Sequence, residues 1–342
     1  DPDGIASLRL RWRVDPATSF STLDMLDDGS GGDAVAGDGV YSAAIPGQNA
    51  NVLVAFHVIA ADQALPSAAA KFPDDAPVRE CLVRFGDPQP AGSFGTYRLW
   101  MTQAVLNRWS TREQLSNEPL DVTFVYGSQR VIYNAGAMYS GSPYKTRGYD
   151  STAGVWCDYL LRFPKDDLFL GVTDFKLCYP GNINDDATLQ REQTSYWLAG
   201  ELGLPYNHRR YVNLFVNGVK RGTIIEDTQV PNSDVIAQHY SQDTEGELFK
   251  VSLWFEFADA NLADFIPTPA TLQKFTTTGG VKKLARYRWN WPKHAVKGSV
   301  NDYASLFDLV DAMNSGATVY TEQVESLVDV DQWMRIFAVE HM

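Results

Sequence analysis

The sequence predicts an α+β multidomain chain, an all-β sandwich followed by a larger mixed domain. Three observations lead there. Short alternating stretches, separated by Gly, Pro and Asp clusters, fill the first 88 residues. A Pro- and Gly-rich segment, Gly86-Asp87-Pro88-Gln89-Pro90-Ala91-Gly92, then reads as a linker. Beyond it, period-two stretches mix with i, i+3, i+4 stretches. A length of 342 residues suits about two domains, and the expected boundaries are 1–88 and 89–342.

In the first part, Leu8, Leu10, Trp12 and Val14 alternate with Ser7, Arg9, Arg11 and Arg13, the pattern of a strand with one covered face. Val40 to Ile45, Val52 to Ile59 and Val78 to Phe85 are the other expected strands. In the second part, Tyr97 to Ser110 reads as a helix, and Val122 to Tyr126 as a strand. Tyr159 to Phe163 and Thr173 to Tyr179 read as a strand pair. Ala187 to Leu202 reads as a helix capped by Asp185 or Asp186, ended by Gly203 and stopped by Pro205. Tyr211 to Val216 and Val219 to Asp227 flank Asn217-Gly218, a pair suited to the positive φ angles of a type I′ hairpin turn. Leu248 to Phe257 alternates as one strand. Tyr303, Leu306, Phe307 and Val310 mark a helix with Ser299 or Asn301 as cap, ending near Asn314. A last helix starts near Asp329, with Val330, Trp333, Met334 and Phe337 on one face, and is still unfinished at Met342.

Composition excludes several classes. The fractions, 44% hydrophobic and 21% charged, are those of a folded protein, and nine Trp, 17 Phe and 16 Tyr supply a large core. No apolar run is long enough to span a bilayer. The net charge of −13 argues against a nucleic-acid binder. Acidity is uneven: 13 acidic and 6 basic side chains lie in residues 1–88, 29 and 23 in the rest. The chain opens on Asp1 rather than Met, as a processed or excised piece would.

Two stretches carry family resemblances. Asp27-Asp28-Gly29-Ser30-Gly31-Gly32-Asp33 through Ala36-Gly37-Asp38-Gly39-Val40-Tyr41, with Ile45-Pro46 and the strand Val54 to Asp62, resembles Ig-like or fibronectin type III-like modules of secreted bacterial proteins. The second series runs from about Tyr139 to the end. It comprises Gln190-Arg191-Glu192 to Leu202-Gly203-Leu204-Pro205, Tyr211 to Gly222, Glu226 to Asp234, Glu245 to Lys250, and Asp329 to Ala338. In that order these resemble the spore-coat protein H (CotH) kinase family.

The resemblance implies an atypical protein kinase-like fold using ATP and Mg²⁺ to phosphorylate a protein partner, secreted or in the bacterial envelope. Such transfer needs a phosphate-cradling loop, a cation on the phosphates and carboxylates on Mg²⁺. By resemblance the nucleotide residues are Ser140, Gly141, Ser142, Lys145, Arg191, Glu226, Asp227 and Gln229. The family's metal and catalytic aspartates are expected beyond Met342, in a C-lobe that is truncated here, so the chain alone is expected to be inactive. Two departures stand out. Cys157-Asp158 occupy the place of a lysine usual before the strand at Tyr159, and Thr228 that of a usual glutamate. They favour the alternative, a non-catalytic extracellular scaffold or adhesion protein.

Other features have local readings. Asp27, Asp28, Asp33 and Asp38 are close enough to converge on Ca²⁺, a hard cation taking about six to eight oxygens. The bland reading is a polar loop of Asx-turns and positive-φ glycines. Ser140-Gly141-Ser142, with Lys145 and Arg147, could present N–H groups to phosphate or be a plain turn. Thr276 to Lys283 lacks the Gly-Lys-Ser/Thr order of a phosphate loop. The basic-aromatic run Lys282 to Trp291 reads as local packing, or as a surface for an acidic partner. The five His show no metal-ligand spacing. A hairpin turn at Asp167 and Leu168 would align Cys157 with Cys178 for a disulfide. A competing register pairs Tyr159 with Leu177 and Leu161 with Phe175, and misses the cysteines by one residue. Cys81 reads as a small core residue.

Overall fold

The computed structural model describes residues 4–112, 116, 118–140, 158–182, 186–252, 254–257, 265–268 and 270–341. It divides into two compact units, Asp1–Ala187 with Arg210–Thr228, and Thr188–Arg209 with Gln229–Met342.

The first unit opens with five strands: β1 (Ile5–Val14), β2 (Ser21–Asp24), β3 (Leu53–Asp62), β4 (Ala69–Phe72) and β5 (Cys81–Arg84). They form one antiparallel sheet in the order β2-β1-β3-β4, with β5 also on β3. A sandwich needs a second sheet, and the strands of the described residues 4–88 make only this one. Val40 to Ile45, expected as a strand, makes a single bridge from Ser42 to Leu26. The glycines on its N-terminal side and Pro46 after it leave little extended backbone to pair. β2 and β4 escaped the sequence reading because both are short and largely exposed.

Seven more strands close into a barrel. They are β6 (Gly95–Trp100), β7 (Leu120–Tyr126), β8 (Arg130–Ser140), β9 (Asp158–Arg162), β10 (Asp174–Cys178), β11 (Arg209–Val216) and β12 (Val219–Gln229), in the order β10-β12-β11-β6-β7-β8-β9. β6 and β11 run parallel, with Leu214 against Tyr97. The barrel core is aromatic: Phe124 packs edge-on against Tyr97, Phe163 and Phe169 at 4.9–5.3 Å between ring centroids. Helix α1 (Gln103–Thr111) adds the fully buried Trp109, 4.8 Å from the Tyr139 ring.

The expected helix over Tyr97 to Ser110 is therefore a strand followed by a short helix. Thr102 separates them, accepting a hydrogen bond from Val105 N as N-cap. β6 concealed itself because both its faces are covered. Tyr97 and Leu99 belong to the barrel core, and Trp100 packs with Leu53, Ala55, Leu82 and Val125 beneath the N-terminal sheet. A strand buried on both faces loses the alternation that betrays it.

The expected linker is anchored. Asp87 accepts a hydrogen bond from Trp100 Nε1 at 2.7 Å and pairs with Arg84, while Arg98 donates to the Pro88 and Gly127 carbonyls at 2.8 Å. The Asn217-Gly218 turn forms as expected, with φ of 45° and 80°. The Asn217 amide also accepts from Met101 N at 2.9 Å and donates to Met101 O at 2.8 Å, holding the end of β6. The β9–β10 register is the one pairing Tyr159 with Leu177 and Leu161 with Phe175; Cys157 lies outside the described residues.

The second unit is mainly helical. It contains α2 (Arg191–Glu201), α3 (Ser233–His239), β13 (Leu248–Phe249), β14 (Trp254–Phe257), β15 (Phe265–Thr268), α4 (Leu284–Asn290), β16 (Lys293–Ala295), α5 (Ala304–Met313), α6 (Ala317–Leu327) and α7 (Val330–Glu340). Helix α2 begins four residues later than expected, after Leu189 with φ 60°, and its N-cap is Gln190 rather than Asp185 or Asp186. Gly203 ends it with φ 68°, as expected. The single strand expected over Leu248 to Phe257 is two strands with different partners, β13 on β16 and β14 on β15. The N-cap of α5 is Tyr303, with Asp302 rather than Ser299 or Asn301 accepting from Ala304 N. Asp329 caps α7 through Gln332 N, as expected. A small core forms from Tyr287, Tyr303, Leu306 and Val310. Among the described residues, no helix is long and apolar enough to cross a membrane.

Candidate functional site

Near its end strand β12 carries Glu226, Asp227 and Thr228, all buried. Two residues of the same unit meet Asp227. Tyr97 donates its hydroxyl to Asp227 Oδ2 at 2.5 Å, and Arg210 Nε donates to the same oxygen at 2.8 Å. The Arg210 guanidinium also donates to the Tyr97 hydroxyl. It lies over three rings, Tyr97, Phe169 and Tyr126, at 5.6–5.9 Å from their centroids.

Burial, then the Asp227 charge, drives the Tyr97 phenol far above its usual range, so it stays protonated and donates. Burial works against the charge on Arg210, but Tyr97 and Asp227 outweigh it and hold the guanidinium cationic. The result is a neutralised, hydrogen-bonded pair. Removing Arg210 would leave the buried Asp227 carboxylate without its opposing charge, a destabilising change.

Sequence reasoning missed Tyr97 and Arg210. A two-residue turn alone sets His208 opposite Asp227. In the structure Gln229 N donates to His208 O at 2.9 Å, which brings Arg210 level with Asp227. Gly222, at φ 57°, lies in the intervening strand and marks where the backbone departs from a regular ladder.

The other expected nucleotide residues are scattered. Ser140 ends β8 and is half-buried; Gly141, Ser142 and Lys145 lie outside the described residues. Arg191 is the exposed first residue of α2, in the second unit. The Gln229 amide is engaged within that unit, accepting from His208 N and donating to Gln238 Oε1, each at 3.0 Å. Asp158 is buried, and its Oδ1 accepts from Tyr179 N at 2.9 Å, so it fastens the open end of the β9–β10 hairpin.

The Asp-rich loop is the second arrangement. Carboxylate oxygens of Asp27, Asp33 and Asp38 all lie within 4.8 Å of one another. Asp27 accepts from Gly37 N at 2.6 Å and Gly39 N at 2.9 Å, and Asp33 from Gly29 N at 2.6 Å. Asp28 stands apart from the trio and accepts from the Ser30 amide and hydroxyl. The bland reading is met as well: Gly29, Gly31, Gly32, Gly37 and Gly39 all have positive φ, and Asp38 makes an Asx-type bond to Val40 N.

Two remaining motifs resolve into packing. Thr276 and Lys282 bridge across a tight turn, with Lys282 Nζ on Asp311 at 2.5 Å. Tyr287 is buried and its hydroxyl donates to Gln273 O at 2.7 Å.

The fold thus defines a mixed α/β protein, with a closed aromatic-cored barrel unit and a mainly helical unit. The sequence model of the CotH kinase protein family matches residues 159–342, more than half the chain. The chain belongs to that family. The matched stretch starts within β9, so β6, β7 and β8 of the barrel precede it. No curated protein matches the chain.

Proposed function

We propose that the chain is the nucleotide-binding part of a CotH-type atypical kinase. In the full-length parent it would transfer phosphate from ATP, with Mg²⁺, to a protein partner in the bacterial envelope or outside the cell. The family match over residues 159–342 carries this reading. By the resemblance of the sequence motifs, we take Ser140, Gly141, Ser142, Lys145, Arg191, Glu226, Asp227 and Gln229 as the nucleotide region. The side-chain geometry supports a division of roles among them. Asp227 and Gln229, already engaged by neighbouring groups, would serve through their backbone, and Ser140 through its half-buried side chain.

Magnesium asks for accessible carboxylate oxygens. Asp227 is neutralised by Arg210 and Glu226 is buried, so the described residues of this group do not fit Mg²⁺, and no catalytic step is assigned to them. Calorimetric titration of ATP into the chain tests the proposal. Saturable binding, weakened by Arg191→Ala, is expected. No heat with ATP, with or without Mg²⁺, would transfer support to the scaffold reading, which buried Asp158 near the expected lysine position already favours.

A second reading concerns the loop. Three mutually repelling carboxylates within 4.8 Å favour a cation there, and we assign calcium to Asp27, Asp33 and Asp38, with Asp28 outside the cluster. Added calcium should raise the melting temperature and Asp33→Asn should remove the rise. A melting curve indifferent to calcium and EDTA leaves only the Asx-turn role.

A further inference from the structure

Helix α2 and the strand entry after it enclose a groove of about 370 Å³, entirely within the second unit. Three rings wall it: Tyr196, Trp197 and Tyr206. Trp197 is 62% exposed, although it is among the costliest side chains to leave in water. Gly200 opens the floor, since a Cβ there would come within 3.1 Å of the Tyr206 ring. Tyr206 is fixed from behind by His239, whose Nε2 lies 2.8 Å from Tyr206 O and whose ring meets the tyrosine edge-on at 5.2 Å.

Apart from Gly200, every side chain lining the groove ends in a planar aromatic, amide, carboxylate, imidazole or guanidinium group; no aliphatic side chain takes part. That composition discriminates among ligands. A lipid or an apolar helix would need aliphatic walls. A phosphate would need a spare cation. Arg209 is already paired with Glu192 at 2.5 Å and stacked on the Tyr196 ring at 4.5 Å. A strong cation would meet Arg209 as well as Glu201.

The chemistry that uses all these groups is a ring with C–H faces and hydroxyl edges. Aromatic planes stack on the faces, and planar polar groups hydrogen-bond the edges. The side chains of Asn207 and Glu201 make no hydrogen bond to the described residues, so their polar atoms are ready for such edges. Glu201 is also the last residue of α2, where the helix dipole disfavours a carboxylate, and no basic residue occupies that turn. Hydroxyl donors would relieve it.

We propose that this groove binds a neutral saccharide unit, stacked on Trp197 and hydrogen-bonded through Glu201 and Asn207. The site is independent of the nucleotide reading. The test is saturation-transfer NMR on the full chain with five probes: cellotetraose, chitotetraose, xylotetraose, maltotetraose and mannotetraose. At least one should receive saturation, and titration should give an affinity that falls about tenfold in Trp197→Ala. Glu201→Gln should weaken it too without lowering the melting temperature, since it removes a charge that the helix dipole disfavours. The exposure of both side chains keeps each variant foldable, and the second stands in should the first not fold. Transfer to none of the five probes overturns the proposal, as does binding undiminished in both variants. Competition by spermidine at equal concentration also overturns it, because the groove would then be a cation site.

Discussion

Asp121 carries a stability cost that a single substitution should release. It sits on β7, where its Oδ2 accepts the Glu80 amide of the neighbouring sheet at 3.2 Å and its Oδ1 is buried without a partner. Burial raises its pKa to about 6 from 3.8; the Glu80 amide and Arg79 pull it down, while Asp75 and Glu80 push it up. The folded state therefore binds this proton more tightly than the unfolded chain. Its contribution is fully present below pH 3.8 and is lost as pH rises through about 6. The gap between the folded and unfolded carboxyl corresponds to about 3 kcal/mol above pH 7. About half of that is already lost at pH 5, because the unfolded carboxyl ionises first. Asp121→Asn keeps an acceptor for Glu80 N and removes the charge. Urea unfolding at pH 5 and pH 8 should show the variant more stable at both, with its advantage growing by about 1–1.5 kcal/mol between them. Parallel pH profiles for the two proteins would refute the argument. So would an Asn variant less stable at pH 8, since the hydrogen bond would then outweigh the buried charge.

Three further expectations use the same unit. Burial, followed by the charges of Arg11, Lys71 and Arg13, lowers the His57 pKa, and Phe20 covers its ring edge-on at 5.1 Å. Its contribution is lost as pH falls below the usual histidine range near 6.5, opposite in sense to Asp121, so His57→Gln should flatten the acid limb of stability while Asp121→Asn flattens the neutral one. Asn217→Ala removes two hydrogen bonds to Met101 and leaves a Cβ residue at φ 45°; urea unfolding should show a loss of about 2–4 kcal/mol. Burial, with Asp121 and Glu80 beside it, pushes the Cys81 thiol up to about 12, so a thiol reagent at pH 8 should label Cys81 only after denaturation, as mass mapping of the labelled peptides would show.

The elements legible in the sequence are those whose surroundings differ on their two sides. β1 alternates, α5 and α7 carry an apolar stripe, and Asn217-Gly218 announces its turn through local chemistry. β6 is invisible to the same reasoning because the N-terminal sheet covers the face that would otherwise be polar. Asp87 reads as linker for a related reason: Pro and Gly around it report backbone freedom, while Arg84 and Trp100, which hold it, act through side chains. The same distinction governs the sites. The aspartate loop is legible because Asp27, Asp33 and Asp38 span one short turn-rich segment, and spacing alone brings them together. The Tyr97–Asp227 bond joins residues 130 apart, across strands that meet only when the barrel closes. No spacing rule encodes that meeting, although its consequence is local: the Tyr97 hydroxyl, together with the Arg210 guanidinium, occupies the carboxylate oxygen that the motif alone would have left free for a ligand. A motif names a residue's type and order. Whether its charge is available is decided by neighbours from elsewhere in the fold, and for Asp227 those neighbours are Tyr97 and Arg210.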